Sequence, residues 1–461
     1  MLKINYNYFL SFITSTFFVI SINVNPNKLF EINLSYLSLI RFFLPLFGVL
    51  YFYYLSKTLI TKVKLNKNNI LLFLIFLLFL ITELINGISP NTLYLLNFLL
   101  FFFYINLLCQ LKDDRILVFN FLTLIIVYCI LIFGIIILGK LGYTSISKFN
   151  PVEFFDLRNY YIFQEKNFIF SDTPSPNSTG FSRIILIIFL ILIYYDFKKK
   201  RFSKLLFATL VCLNLIILSL QSKFSALGGI IIYFLLLFCD DTYLKKKIFN
   251  TIFVILLPIL IFNYVQTENR FLSVWQTINN ADTPTNNKIL ETEITTKKMP
   301  DLKKNNLSYQ NNFRKEYYKN TTTNITTGRN LIWNTQLKYI HENKIYLLGK
   351  GVYSDLKIFN TSSSNAAIYT ILSGGIIPFS LLLIIYLNLA IKFINFLYKK
   401  IKRKIFSFNE IYFLILILLI LRSLIENSFL SIQMDFYMVV LLIEIAEKNN
   451  LKNSKYISNI I

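Results

Sequence analysis

A chain of 461 residues has room for two or three soluble domains, but its composition excludes them: 55% of residues are hydrophobic and 15% charged, against roughly 25% charged in soluble proteins. The apolar residues fall in blocks of about 17 to 25, each long enough at ~1.5 Å per residue to cross a ~30 Å hydrocarbon layer. The pattern excludes a soluble enzyme, a coiled coil and a disordered chain, and predicts an all-α polytopic membrane protein. The charge of +23, from 47 Lys and Arg against 24 Asp and Glu, invites a nucleic-acid reading. Its distribution along the chain argues against one.

Taken in order, the blocks predict twelve spans near 7–24, 34–56, 68–86, 91–109, 116–138, 180–196, 204–220, 223–240, 248–265, 366–396, 408–426 and 428–446. The last two are separated by a very tight turn at Glu426-Asn427. Residues 1–265 thus hold nine spans with a loop at 139–179. Residues 266–365 form one large loop, and 366–461 hold three spans and a short tail. Basic clusters at Lys57–Lys67, Lys112/Arg115, Lys198–Lys204, Lys245–Lys247 and Lys399–Lys404 all fall on one side, together with Lys3 and Lys448, Lys452 and Lys455. By the positive-inside rule that side is the cytoplasm, so both termini are cytoplasmic and the two long loops are external. Long loops cross regardless of their charge.

Within the large loop, residues 279–327 are polar and lack apolar periodicity. From Gly328 onward the spacing of Trp333, Leu337 and Ile340 predicts an amphipathic helix near 328–341 at the outer membrane surface. Thr326 or Thr327 is its expected cap. Gly349-Lys350-Gly351 then breaks the chain. Cys109, Cys129, Cys212 and Cys239 lie in or beside apolar blocks, which argues against a disulfide framework or a zinc site.

Ionisable residues inside spans are costly and mark functional sites. Here they are Arg41, Glu83, Arg183, Lys223, Arg422 and Glu426, each in the outer part of its span. The inner halves lack comparable groups, and Glu444 and Glu447 read as solvated at the cytoplasmic exit. A cationic cavity open to the outside suits phosphate or pyrophosphate, which guanidinium binds bidentately. A channel would carry polar groups through its full depth, and a proton-coupled transporter would concentrate them near the midplane.

Four segments resemble the O-antigen ligase/polymerase family, the Wzy/WaaL-like membrane glycosyltransferases. Pro176-Asn177-Ser178-Thr179-Gly180 is similar to the family's Pro-Asn followed by small residues, and Ser222-Lys223 stands where the family has Ser-Arg. Gly328-Arg329-Asn330-Leu331-Ile332-Trp333, followed by Gly349-Lys350-Gly351, resembles its Gly-Arg-x-x-x-Trp and later Gly-x-Gly. Ser364-Asn365 with Gly374-Gly375 completes the set. The third segment is the most specific, because it lies late in the largest external loop. Two departures bear on activity. Lys223 keeps a cation but loses the bidentate fork, and Ser364 replaces the His that ligases carry before Asn, which favours polymerase over ligase.

The resemblance implies a GT-C-like architecture in the bacterial inner membrane, with a polyprenyl-diphosphate-linked oligosaccharide as donor and a second as acceptor. It implies no cofactor, and a chain-length regulator is a possible partner. An acceptor hydroxyl attacks the anomeric carbon, and lipid pyrophosphate leaves. Such a reaction needs cations for the developing charge and a proton acceptor. Arg329 is the first choice for the pyrophosphate, with Lys223, Arg183, Arg41 and Arg422 as further binding candidates. Trp333 and Tyr339 are candidates for stacking on sugar rings, and Asn365 is a further substrate-binding candidate. His341, the chain's one histidine, has the natural pKa range for a base. Glu426, Glu342 and Asp355 are alternatives. No Asp-x-Asp motif is present, which disfavours a metal-assisted nucleotide-sugar enzyme. A ligase acting on lipid A core or protein, and a polysaccharide flippase, are the competing expectations.

Overall fold

The computed structural model describes residues 6–23, 37–56, 63–87, 91–140, 178–199, 204–219, 329–359, 365–403, 408–425 and 434–448, with short pieces at 228–229, 231, 254, 256–260, 362–363 and 429–430. Regular structure among the described residues is entirely helical. The first helices are α1 (Tyr6–Asn23), α2 (Leu37–Ser56), α3 (Lys67–Asn86), α4 (Asn91–Gln110), α5 (Arg115–Lys140), α6 (Ser178–Lys199) and α7 (Lys204–Ser219). After them come α8 (Arg329–Glu342), α9 (Ser354–Phe359), α10 (Ala366–Gly374), α11 (Ile376–Arg403), α12 (Phe408–Ser423) and α13 (Met434–Glu447). Lys67–Asn86, Thr92–Gln110, Arg115–Ile132 and Ile376–Lys399 are long and apolar enough to cross a membrane. A helix satisfies its own backbone hydrogen bonds, which is what a lipid-embedded segment requires. This is a helical membrane protein. The expected spans at 223–240 and 248–265 lie almost wholly outside the described residues, as do most of the two long loops.

Hydrogen bonds at opposite tips of α3 define the two ends of the bundle. Near its start, at the proximal end, Asn66 caps the helix by accepting from Asn68 N at 2.9 Å. Lys448 pairs with Asp114 at 2.5 Å at this same end, and Tyr8 donates to Asp113 at 2.7 Å. At the distal end Asn86 Nδ2 donates to Gly349 O at 3.1 Å.

Between the two ends lies an aromatic core. Phe98 meets Phe436 at 4.2 Å, Phe101 meets Tyr437 at 4.3 Å, and Phe76 meets Phe436 at 4.7 Å between ring centres. Tilted and edge-on pairs of this kind add about 0.5–1.5 kcal/mol each beyond their burial. A polar stitch crosses the same core. Asn120 Oδ1 accepts from Tyr104 at 2.7 Å and from Ser15 at 2.5 Å, tying α1, α4 and α5 together.

Three sequence expectations are corrected here. The block at 366–396 is not one helix: α10 ends at Gly374, Gly375 takes φ +88, and α11 begins at Ile376. Only a residue without Cβ sits easily there, because a Cβ on Gly375 would lie 2.5 Å from Leu347 O. Pro378 falls in the first turn of α11, where its missing N–H costs nothing.

The last helix does not begin at 428 as expected, and Glu426-Asn427 lie outside the described residues. α12 ends at Ser423 and α13 begins at Met434. Ser423 Oγ donates back to Ile420 O at 2.5 Å, and Asp435 lies in the first turn of α13, where a negative charge suits the helix dipole. The apolar Phe429 and Leu430 made the two runs look continuous, but both are buried in a turn.

Glu444 is not solvated. It is buried and accepts from Asn66 N at 2.8 Å and Asn69 Nδ2 at 2.7 Å. The proximal half therefore does hold a buried ionisable group, because the segment entering α3 folds over it. Glu444→Ala leaves these donors without an acceptor and is expected to cost about 1–3 kcal/mol. Glu444→Gln, which keeps a carbonyl acceptor, is expected to cost less. Unfolding of the two purified variants in detergent checks the difference.

The core contacts also fix depth. Phe436, near the start of α13, packs on Phe76, about ten residues or ~15 Å along α3 from Asn86. α13 thus begins beside the middle of α3. α12 stops short too, because Ser423 Oγ lies 2.6 Å from the hydroxyl of Tyr386, which is about ten residues into α11. The distal half of the bundle is where helices end early.

Candidate functional site

The Gly-Arg-x-x-x-Trp segment opens α8 with Arg329. α8 buries Tyr339 and Ile340 against Ile368 and Leu372 of α10, and Tyr339 sits edge-on to Phe359 of α9 at 5.2 Å. Trp333 Nε1 donates to Ser363 O at 2.8 Å. Ser363 is held in turn by Asp355, whose Oδ2 accepts from Ser363 N at 2.7 Å and from its hydroxyl at 3.0 Å. Burial pushes the Asp355 carboxyl above the usual carboxylate range, and the hydrogen bonds from Ser363 and Leu356 draw it partly back. Asn365 caps α10, its Oδ1 accepting from Ala367 N at 2.9 Å and Ile368 N at 3.2 Å. Its Nδ2 donates to Leu424 O at 2.9 Å. Trp333 is thereby tied to Ser363, and Asn365, two residues on in sequence, ties the start of α10 to Leu424, two residues past Arg422.

The Gly349-Lys350-Gly351 segment is seated on the α10–α11 break. Lys350 N donates to Leu372 O at 2.7 Å and Gly351 N to Ser373 O at 3.1 Å. These are carbonyls in the last turn of α10, which lack partners within the helix. Behind the segment stands Glu83 of α3, fully buried. Its Oε2 accepts from Val352 N at 2.8 Å and its Oε1 from Lys357 Nζ at 3.1 Å. Gly351 has φ +82, and a Cβ there would come within 2.2 Å of Glu83 Oε2. Gly351→Ala is therefore expected to cost about 1–3 kcal/mol from the backbone alone, and more from displacing a buried carboxylate. A fall in the thermal midpoint of the purified protein checks it.

Arg183 is buried, at 4% exposure, and pairs with Asp435 of α13. This pair lies about midway along the bundle, where α13 begins. Arg422 is 2% exposed. Neither side chain forms part of the open cationic lining expected of it. Arg329 is partly exposed.

His341 is exposed, its ring edge-on to Tyr346 at 6.4 Å. Arg329 and His341 are separated by most of α8, about twelve residues or ~18 Å of helix. The structure does not bring these two together at one reacting bond. Glu342 shares that exposed end, paired with Lys338 at 3.8 Å. Arg41 lies in α2, with its side chain outside the described residues. Lys223, Glu426, Thr326 and Thr327 are outside them altogether.

Two residues that matter here were missed. Asp435 was legible as the lone acid in the outer part of the last apolar block, the natural partner for a buried Arg on a neighbouring span. Lys357 was hidden in a loop, and nothing in its spacing points to Glu83. Arg329, partly exposed at the start of α8, is the cation of this cluster that could meet an anion, whereas Lys357 is committed to Glu83. Comparisons with protein-family models, with curated proteins and with solved structures find no match for this chain.

Proposed function

We propose that this protein is a polymerase that joins polyprenyl-diphosphate-linked oligosaccharide repeat units into a surface polysaccharide, O-antigen or capsule. In this reading twelve spans with a GT-C-like plan lie in the bacterial inner membrane. Both termini are cytoplasmic, and the distal end faces outward. The observation that carries the reading is the joining of two family-like segments at that end. Trp333 of the Gly-Arg-x-x-x-Trp helix donates to Ser363, next to Ser364-Asn365, at 2.8 Å. Gly349-Lys350-Gly351 lies directly on Gly374-Gly375, such that a Cβ on Gly349 would be 2.2 Å from Gly374 N.

The acceptor hydroxyl oxygen forms a bond to the anomeric carbon of the donor. The bond from that carbon to the diphosphate oxygen breaks, and polyprenyl diphosphate leaves. Arg329 offsets the charge growing on the diphosphate, in a setting where fixed donors are worth more than in water. The hydroxyl proton goes to Glu426, an outer-end carboxylate of the expected span 408–426. Asp355 is already committed to Ser363, and His341 is too far along α8. Ser364 in place of the ligases' His favours polymerase over ligase.

The purified chain, reconstituted with synthetic polyprenyl-diphosphate repeat units, tests the proposal by gel. Products lengthened by whole repeats support it. Transfer only to added lipid A core indicates a ligase. Translocation across the vesicle without product indicates a flippase. Glu426→Gln is expected to suppress elongation, and a full ladder from that variant would remove Glu426 from the reaction.

A further inference from the structure

The loop between α8 and α9 belongs to the large polar segment of the sequence, yet its tip is apolar and exposed. Leu347 is 75% and Leu348 56% exposed. Beside them, Ile85 at the end of α3 is 62% exposed and Ile377 at the start of α11 is 55% exposed. A cluster of this kind on a water-facing surface is unusual and marks an interaction site.

The tip is held in place. Ile376 N donates to Tyr346 O at 2.7 Å, and Asn86 Nδ2 donates to Gly349 O at 3.1 Å. Leu347 and Leu348 are thereby fixed level with the distal ends of α3 and α11. Both helices are long and apolar enough to cross a membrane, and both expose apolar side chains further along, such as Ile81 and Leu387. The loop tip continues that surface. Lys350 follows two residues later and is exposed, a cation at the level where lipid head groups lie.

We propose that Tyr346–Leu348 is a membrane anchor that inserts among the acyl chains of the leaflet at the distal end, with Lys350 at the head groups. The continuity of the patch with the flanks of two membrane-crossing helices identifies its occupant as bilayer lipid. The proposal is independent of the polymerase reading. A genetically encoded, environment-sensitive fluorescent residue replaces Leu347 in the full chain, which is reconstituted into phosphatidylglycerol vesicles. A second variant carries it at Leu348, and a third at the exposed Ile126 of α5 as a lipid-facing reference.

The expected result is quenching at both loop positions by acyl-brominated phosphatidylglycerol, as at Ile126, with protection from aqueous iodide. Quenching by iodide without quenching by the brominated lipid would overturn the proposal. Protection from both would also overturn it, and would place a protein surface such as a second copy of the chain over the patch. The variant at Leu348 serves if that at Leu347 does not insert.

Discussion

Arg329→Ala is expected to abolish the ladder of polymerised products, while expression and membrane insertion persist. Arg329 is the first residue of α8, and that helix is held to the bundle by Tyr339 and Ile340 near its other end and by the Trp333 bond to Ser363. Truncating Arg329 leaves all of these contacts in place, so the variant should fold. What it loses is the guanidinium expected to meet the diphosphate. Removing one preorganised charge-stabilising donor costs about 10²–10³ in rate. Arg329→Lys keeps the charge but not the bidentate fork, and should fall between wild type and Arg329→Ala. Elongation rates of the three purified proteins check the ranking. Unchanged polymerisation by Arg329→Ala would remove Arg329 from the site.

Asp435→Asn is expected to be the most destabilising single change among the residues considered. It leaves the buried guanidinium of Arg183 without its counter-charge in the interior of the bundle. Removing one member of a buried pair costs about 3–5 kcal/mol, whereas replacing both by apolar residues of similar size is often neutral. The double variant Arg183→Met with Asp435→Leu is therefore expected to recover most of the stability that Asp435→Asn loses. Unfolding midpoints in detergent measure this. The same double variant separates two roles for Arg183. Recovery of stability and elongation together makes the pair structural. Recovery of stability alone returns Arg183 to the list of substrate contacts.

The helical class and the membrane setting were legible because both follow from summed properties of long apolar blocks, which tolerate local irregularity. Breaks inside such blocks were not. Gly374-Gly375 sits in a continuous apolar run, and the break there is the positive φ of Gly375, with Ile376 N donating to Tyr346 O of the α8–α9 loop. Hydropathy does not see that contact. The same applies at Phe429 and Leu430, two buried apolar residues that lie in a turn rather than a helix. Burial of charge was only half legible. Arg183 was recognisable as costly, but its partner Asp435, on a different span, was not identified. Glu444 was misread because its partners, Asn66 and Asn69, are some 375 residues away in sequence. In the candidate site, the helix that follows Gly328 was legible from the spacing of Trp333, Leu337 and Ile340. Arg329 and His341 stand about twelve residues apart on that helix, a separation that their spacing in sequence already implied.

The most direct measurement is the release of polyprenyl diphosphate by the purified, reconstituted chain given one synthetic lipid-linked repeat unit and no other acceptor. The expected result is release in step with the appearance of dimers and longer products, one polyprenyl diphosphate for each new glycosidic bond. No release, or release only after lipid A core is added, would contradict the assignment as a polymerase.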